Sequence, residues 1–190
     1  MFKMLLTSFT LSLILSLGSQ SFAHGLNMSS ASITLRDEIH LLLNVQYDLI
    51  SVMEKAKILS ADKNLLQIVA TMPATEFEDK VQQLQILFTQ QLVAITDGKT
   101  VEGMQFKFPT GAELQSMVRQ RLMQSLTSSD HDHDQSLTWL EADVLIHKNA
   151  KGLELQFPAA LGSVVSTFSR PETIVIQSGK AGASYSRLLR

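Results

Sequence analysis

Residues 39–49 alternate between apolar and polar side chains, and this pattern constrains the fold more than any other part of the sequence. Apolar residues occupy all six odd positions, and Leu42 is the one apolar residue at an even position. In a strand, successive side chains point to opposite faces, whereas a helix would spread these six side chains around its circumference. The segment therefore predicts a β-strand with one buried face.

Seven further segments have the composition and length of β-strands, and turn residues separate them. They are residues 29–35, 92–96, 101–108, 137–147, 153–157, 163–169 and 173–177. Residues 36–38 are short enough to connect the first two strands as a hairpin. Asp97 and Gly98 form a dipeptide that favours the positive φ angles of another hairpin turn.

In three segments the apolar residues recur at the spacing of a helix. One is residues 61–72, and the other two follow Thr75 and Thr110. Glu78 and Glu113 lie three residues after these threonines, which is the spacing of a capping box. We therefore predict an α+β fold, mostly antiparallel β-sheet and sandwich-like, with about three helices inserted between the strands.

The composition is that of a globular domain and excludes several classes of protein. Of the 190 residues, 45% are hydrophobic and 18% are charged, which argues against a disordered chain. The chain has 16 Lys and Arg against 18 Asp and Glu, so it lacks the positive excess that neutralises phosphates. We therefore expect no nucleic-acid partner.

Residues 1–23 have the pattern of a secretory signal peptide. Lys3 supplies a positive charge, and residues 4–17 form an apolar run interrupted only by Ser and Thr. Ser21 and Ala23 place small residues at the −3 and −1 positions of a cleavage site. The run is shorter than the roughly 20 residues that cross a bilayer as a helix. We expect cleavage after Ala23 rather than membrane anchoring.

Cleavage would leave one soluble extracytoplasmic domain at residues 24–190. Removing 23 of the 190 residues leaves 167, and the loss of Lys3 changes the formal charge from −2 to −3. We expect no transmembrane segment in this mature chain, and a periplasmic location in a Gram-negative host. Because the chain has no cysteine, an exported fold would have neither disulfides nor thiolate metal sites.

The strongest candidate site is a loop that contains two histidines and three aspartates. Its residues are Asp130, His131, Asp132, His133 and Asp134. Imidazole and carboxylate groups are ligands for divalent transition metals such as Ni(II), Cu(II) and Zn(II). A solvated acidic loop has the same composition, so both readings stay open.

His24 is a second candidate ligand because it would become the first residue after cleavage. Its α-amine and imidazole could then chelate one metal ion together. A copper site of this kind needs a further histidine, which His40, His131, His133 or His147 could supply. The alternative is that His24 simply follows the cleavage site, since chain termini are often poorly ordered.

Motifs of known enzyme classes are absent from the sequence. There is no cysteine nucleophile, G-x-S-x-G elbow, H-E-x-x-H motif, P-loop or dinucleotide-binding glycine pattern. Glu141 and Asp143 would share one strand face with Trp139, which is an arrangement of paired carboxylates. We expect a protein that is not an enzyme, with an exported hydrolase as an alternative.

Short runs at both ends of the mature chain resemble one family of membrane proteins. They are AHGLN at 23–27, VQYDL at 45–49 and FPAALGSVV at 157–165, followed by Arg170-Pro171 and a late Ala181-Gly182. The runs resemble the extracytoplasmic N-terminal region of hydrogenase/urease accessory permeases (HupE/UreJ-like proteins). The resemblance implies a β-rich domain beside a metal-transport function, with nickel as the substrate class and a membrane permease as the partner. Those proteins continue into membrane helices that this sequence lacks, so the resemblance assigns no ligand here.

The sequence thus predicts an exported, non-enzymatic accessory or binding module. It would handle a divalent metal through the 130–134 loop or assist a metal permease. The alternative is an interaction module that docks on a membrane partner through an apolar or edge-strand surface.

Overall fold

A computed structural model describes residues 28–127 and 137–171 of the chain. The strands are β1 (Ser29–Leu35), β2 (His40–Asp48), β3 (Val93–Thr96), β4 (Lys99–Thr100), β5 (Gln105–Lys107), β6 (Leu137–Leu145), β7 (Leu153–Gln156) and β8 (Val164–Ser169). The helices are α1 (Leu49–Lys55), α2 (Leu65–Thr71), α3 (Ala74–Gln91) and α4 (Gly111–Thr127), with a short 3-10 helix at Ala159–Leu161. The predicted α+β class is confirmed, with four α-helices rather than three among the described residues.

The strands form two sheets. The larger sheet has five strands in the order β5-β6-β2-β1-β8, and the smaller has three in the order β4-β3-β7. All pairs are antiparallel except β1 with β8, which run parallel. The predicted strand at 173–177 and the predicted signal peptide at 1–23 lie outside the described residues.

One face of the five-stranded sheet, here called the inner face, carries the core. Leu41, Leu43, Val45 and Tyr47 alternate along β2 and are all buried. Helix α3 contributes to the layer that covers this face, because the ring of Phe88 lies 5.0 Å from that of Tyr47. The alternation that predicted a buried strand face is therefore confirmed.

Helix α1 follows β2 without a loop and was not predicted from the sequence. Asp48 caps it, since its carboxylate accepts a hydrogen bond of 2.7 Å from the backbone N–H of Ser51. The other carboxylate oxygen of Asp48 lies 2.6 Å from the guanidinium of Arg121 on α4. This one side chain therefore connects β2, α1 and α4.

The two predicted capping boxes have different outcomes. At the start of α4, Glu113 accepts a hydrogen bond from the backbone N–H of Thr110, and the Thr110 hydroxyl accepts one from that of Glu113. The bond from the Thr110 backbone N–H, and then one that the Thr110 hydroxyl donates to the same carboxylate, lower the pKa of Glu113. The box at Thr75 is wrong: α3 begins at Ala74 after Pro73, so Thr75 lies inside the first turn.

Two turns require positive φ angles. Asp97 and Gly98 have φ of 50° and 77°, and they form the predicted hairpin turn after β3. The predicted partner strand at 101–108 is wrong, because β3 pairs with β4 at Lys99–Thr100 and β5 pairs with β6 in the larger sheet. Gly162 has φ 67° and ψ −136°, a conformation open to glycine and costly for other residues, and it precedes β8. The backbone at Gly162 therefore sets the direction in which β8 starts.

None of the helices in residues 28–127 and 137–171 combines the length and apolar character that a bilayer-spanning helix needs.

Candidate functional site

The predicted metal ligands fall outside the part of the chain that the structure describes. His24 lies in residues 1–27, and the loop with Asp130, His131, Asp132, His133 and Asp134 lies in residues 128–136. Within residues 28–127 and 137–171, no three His, Asp or Glu side chains are grouped so that they could hold a metal ion. The metal hypothesis for the loop therefore stays a prediction.

The two described histidines that could have joined His24 each contact a neighbouring side chain. The Nδ1 of His40 lies 2.6 Å from a carboxylate oxygen of Asp37 in the β1–β2 turn. The backbone N–H of Ile39 and then the His40 ring lower the pKa of Asp37 to about 2. The Nε2 of His147 lies 3.3 Å from the hydroxyl of Thr96. These contacts give both imidazoles local roles.

The loop hypothesis makes a prediction for metal titration of the mature protein. We expect Ni(II), Cu(II) or Zn(II) to bind in the micromolar range by isothermal titration calorimetry, because imidazole and carboxylate groups are ligands for these ions. Replacing His131 and His133 with alanine should abolish this binding. Replacing His40 and His147 with alanine is the matched control and should preserve it. No binding, or equal binding by the His131/His133 variant, would contradict the hypothesis.

Glu141 and Asp143 lie on the face of the five-stranded sheet opposite the core, here called the outer face. Trp139 shares it, as the sequence predicted, and is half-buried. Lys107 on β5 lies 3.3 Å from the Glu141 carboxylate and 5.6 Å from the centre of the Trp139 ring. One of the two predicted paired carboxylates is therefore already paired with a lysine.

Strand β8 is an edge of the five-stranded sheet. Among the described residues it pairs with β1 alone, over the full register from Ser29 opposite Val164 to Thr34 opposite Ser169. In an edge strand, alternate residues direct their N–H and C=O groups away from the sheet, where another chain can bind them. Within residues 28–127 and 137–171, the side of β8 that faces away from β1 is therefore unpaired along all six residues.

The side chains of β8 leave this edge accessible. Its sequence, VVSTFS, contains no charged residue and no proline. Val165 is 51% exposed and Phe168 is 58% exposed, and they point to opposite faces of the sheet. Sheet proteins usually protect an edge with lysine, proline or a very short strand, and β8 has none of these features.

The opposite edge of the same sheet is protected. Strand β5 is only three residues long and ends in Lys107, which contacts Glu141 and Trp139 on β6. Two of its side chains lie on the outer face: Lys107 is opposite Glu141, and Gln105 is opposite Asp143. The two edges of one sheet therefore differ, and β8 is the one that is suited to pairing.

A groove of about 330 Å³ lies beside β8 on the outer face. Strands β1, β2 and β8 line it with hydroxyl, amide and aliphatic side chains. They are Ser30, Ser32, Thr34, Leu42, Asn44, Gln46, Val165 and Thr167, together with Ala31. Because no charged side chain lines the groove, a charged group placed there would lose hydration without gaining a counter-charge.

The sequence predicted β8 as a strand but did not show that it is an edge. The position of a strand in its sheet depends on pairing between distant segments, here residues 29–34 and 164–169. One signal was present: residues 164–169 are free of charge and lack strict alternation, which is unusual for a strand with one solvent face.

Comparison with known proteins adds no relative from which a role could be inferred: no family model matches the chain, and no curated protein or solved structure is similar to it.

Proposed function

We propose that this protein is a non-enzymatic binding module that holds an extended segment of a protein partner as an added strand along β8. The observation that carries the proposal is the uncharged, six-residue outer edge of β8, with which no other strand of the described residues pairs. Added strands bind mainly through backbone hydrogen bonds, and side-chain pockets beside the edge supply selectivity. The groove beside β8 is such a pocket.

The chemistry of the edge defines the partner segment. A strand added to β8 would place its side chains next to Val165 and Thr167 on the outer face and next to Phe168 on the inner face. Since none of these neighbours is charged, the segment should be uncharged and rich in β-branched or aromatic residues. On the sequence-based expectation, this partner is an extracytoplasmic part of a membrane permease.

Capture of the partner tests the proposal. Mature protein is immobilised and incubated with envelope extract, and the captured proteins are compared with those held by a variant carrying Val165→Lys and Phe168→Lys. Lysine on both faces of an edge strand opposes pairing with another strand. We expect the variant to capture at least about tenfold less of the partner. This corresponds to a loss of about 1.4 kcal/mol of binding free energy.

A control variant carries Ile86→Lys on α3 and Met123→Lys on α4. These side chains are 53% and 61% exposed, which matches the exposure of the two residues changed on β8. It should capture the same proteins as the unmodified chain. Equal capture by all three proteins, or an equal loss in both variants, would contradict binding at β8. Circular dichroism of each variant verifies that it is folded.

A further inference from the structure

The groove on the outer face extends across three strands, farther than a strand added to β8 would reach. Neighbouring strands lie about 4.8 Å apart, so an added strand would lie about 10 Å from β1 and about 14 Å from β2. Its side chains would meet the groove at Val165 and Thr167 but not at Asn44 on β2. The part of the groove above β1 and β2 is therefore available to a separate ligand.

The strand register arranges the polar lining of the groove in rows that cross the sheet. One row consists of Asn44 on β2, Ser32 on β1 and Thr167 on β8. In the next row Gln46 lies opposite Ser30. Residues directly opposite each other on one face of a sheet are close neighbours, so their side chains can contact the same small ligand. The rows therefore present hydroxyl and amide groups side by side.

The side-chain oxygen of Asn44 has no hydrogen-bond donor among the described residues. This atom is shielded from solvent. A buried polar atom without a partner costs free energy, which a bound donor would recover. The adjacent side chains of Ser32 and Gln46 are exposed, so their rotation can bring a ligand's donor to this oxygen. Asn44 therefore marks a position at which a ligand would donate a hydrogen bond.

The charges around the groove define the class of ligand. No charged side chain of the described residues lines it, and Glu141 and Asp143 on β6 border it opposite Asn44 and Leu42. Lys107 pairs with Glu141 alone, so this border keeps a net negative charge that repels an anion. Hydroxyl and amide side chains both donate and accept hydrogen bonds, as does a neutral hydroxyl group. A ligand rich in neutral hydroxyl groups therefore matches the lining.

A polar peptide is the competing occupant, and it matches the groove less well. In a sheet, the backbone N–H and C=O groups bond between the strands, in the plane of the sheet. A peptide lying on the face would find no backbone partners for its own N–H and C=O groups, which are costly to leave unpaired. The hydroxyl groups of a saccharide need only side-chain partners, and the groove supplies these.

We propose that the outer-face groove binds a neutral saccharide, with Asn44 accepting a hydrogen bond from one hydroxyl group and Ser32 and Thr167 contacting its neighbours. The groove volume of about 330 Å³ lies at the lower end of the range for small-molecule sites, about 300–1,000 Å³. We therefore expect a ligand of one or two sugar rings. The saccharide does not use the β8 edge, so this site goes beyond the proposed function and is independent of it.

Titration of isotope-labelled mature protein with saccharides, followed by NMR, tests this site. The probes are the neutral disaccharides maltose, cellobiose and diacetylchitobiose, with digalacturonic acid as their anionic counterpart. We expect at least one neutral probe to shift the amide signals of Ser30–Thr34, Leu42–Gln46 and Val165–Thr167 saturably, with a dissociation constant of about 1 mM or lower. The acid should bind at least about tenfold more weakly, because of the carboxylates on β6.

The variant Asn44→Leu removes the acceptor and keeps a branched side chain of similar size. We expect it to bind the neutral probe at least about tenfold more weakly, because a sugar hydroxyl would then lose its partner. Gln105→Leu is the matched control, since it removes an amide from the same face outside the groove, and it should leave the dissociation constant unchanged. Thr167→Val removes only one exposed hydroxyl and should weaken binding about threefold, which keeps the test decisive if Asn44→Leu does not fold.

Several results would overturn the saccharide site. These are no saturable shift with any neutral probe, shifts confined to amides away from the groove, equal binding of the acid, or equal losses in Asn44→Leu and Gln105→Leu. Tighter binding in the groove by a neutral peptide of alternating serine and threonine would also overturn it, because the groove would then serve a protein partner. Capture that depends on Val165 and Phe168 bears on the proposed function alone, so the two proposals fail separately.

Discussion

Replacing Phe88 with alanine is expected to lower the free energy of unfolding by about 3–5 kcal/mol, the usual cost of removing a buried aromatic side chain. Phe88 is completely buried on α3. Its ring lies 5.0 Å from that of Tyr47 on β2 and 6.3 Å from that of Phe108. Truncation would leave a cavity between the helix and the sheet, which rigid neighbours fill only in part.

Urea denaturation measures this loss, and Phe168→Ala is its matched control. The control removes the same side-chain atoms from a residue that is 58% exposed on the β8 edge. Because exposed positions contribute little to the core, we expect it to change stability by about 0.5 kcal/mol or less. Similar losses for the two variants would contradict the assignment of Phe88 to the core and Phe168 to the surface.

Replacing Asp48 with alanine is expected to cost about 2–3 kcal/mol, because it removes two interactions at once. The N-cap of α1 contributes about 1 kcal/mol, and the largely buried ion pair with Arg121 contributes the rest. The side chain of Asp48 is only 10% exposed, so water replaces these partners poorly. Thermal and urea unfolding measure the loss.

Asp48→Asn separates the two contributions. Asparagine caps a helix about as well as aspartate but carries no charge to pair with Arg121. We therefore expect this variant to lose about half as much stability as the alanine variant, with the difference reporting the cap. Equal losses in both variants would show that the cap contributes nothing measurable.

Strands were predictable from the sequence where local pattern and burial agree. The alternation in residues 39–49, interrupted only at Leu42, predicted β2, because one face of that strand is covered by the core. Asp97 and Gly98 predicted a hairpin because few other dipeptides adopt two consecutive positive φ angles. In both cases the information lies within a few neighbouring residues.

Helix starts were less predictable because they depend on how the chain enters the helix. Thr75 and Glu78 have the same spacing as Thr110 and Glu113, yet only the second pair forms a capping box. Pro73 is the N-cap of α3, so the helix begins two residues before the predicted start. Thr75 therefore lies inside the first turn, where there is no helix end for it to cap. Helix α1 was missed because Asp48 ends one strand and caps the next helix without a turn between them.

The candidate site was the least predictable feature, because it depends on strand order. Nothing local in residues 163–169 shows that they pair with β1 alone among the described residues. The histidine loop was predicted from composition instead, since a cluster of metal-ligating side chains can be recognised in the sequence alone. Edge strands carry no comparable signature beyond the lack of charge.

Hydrogen exchange of β8 in the partner complex tests the central claim most directly. The complex isolated by capture is compared with the free protein, and amide exchange is followed segment by segment. We predict that exchange slows in Val164–Ser169 on partner binding. Protection confined to another surface, with exchange in Val164–Ser169 unchanged, would contradict binding at the β8 edge.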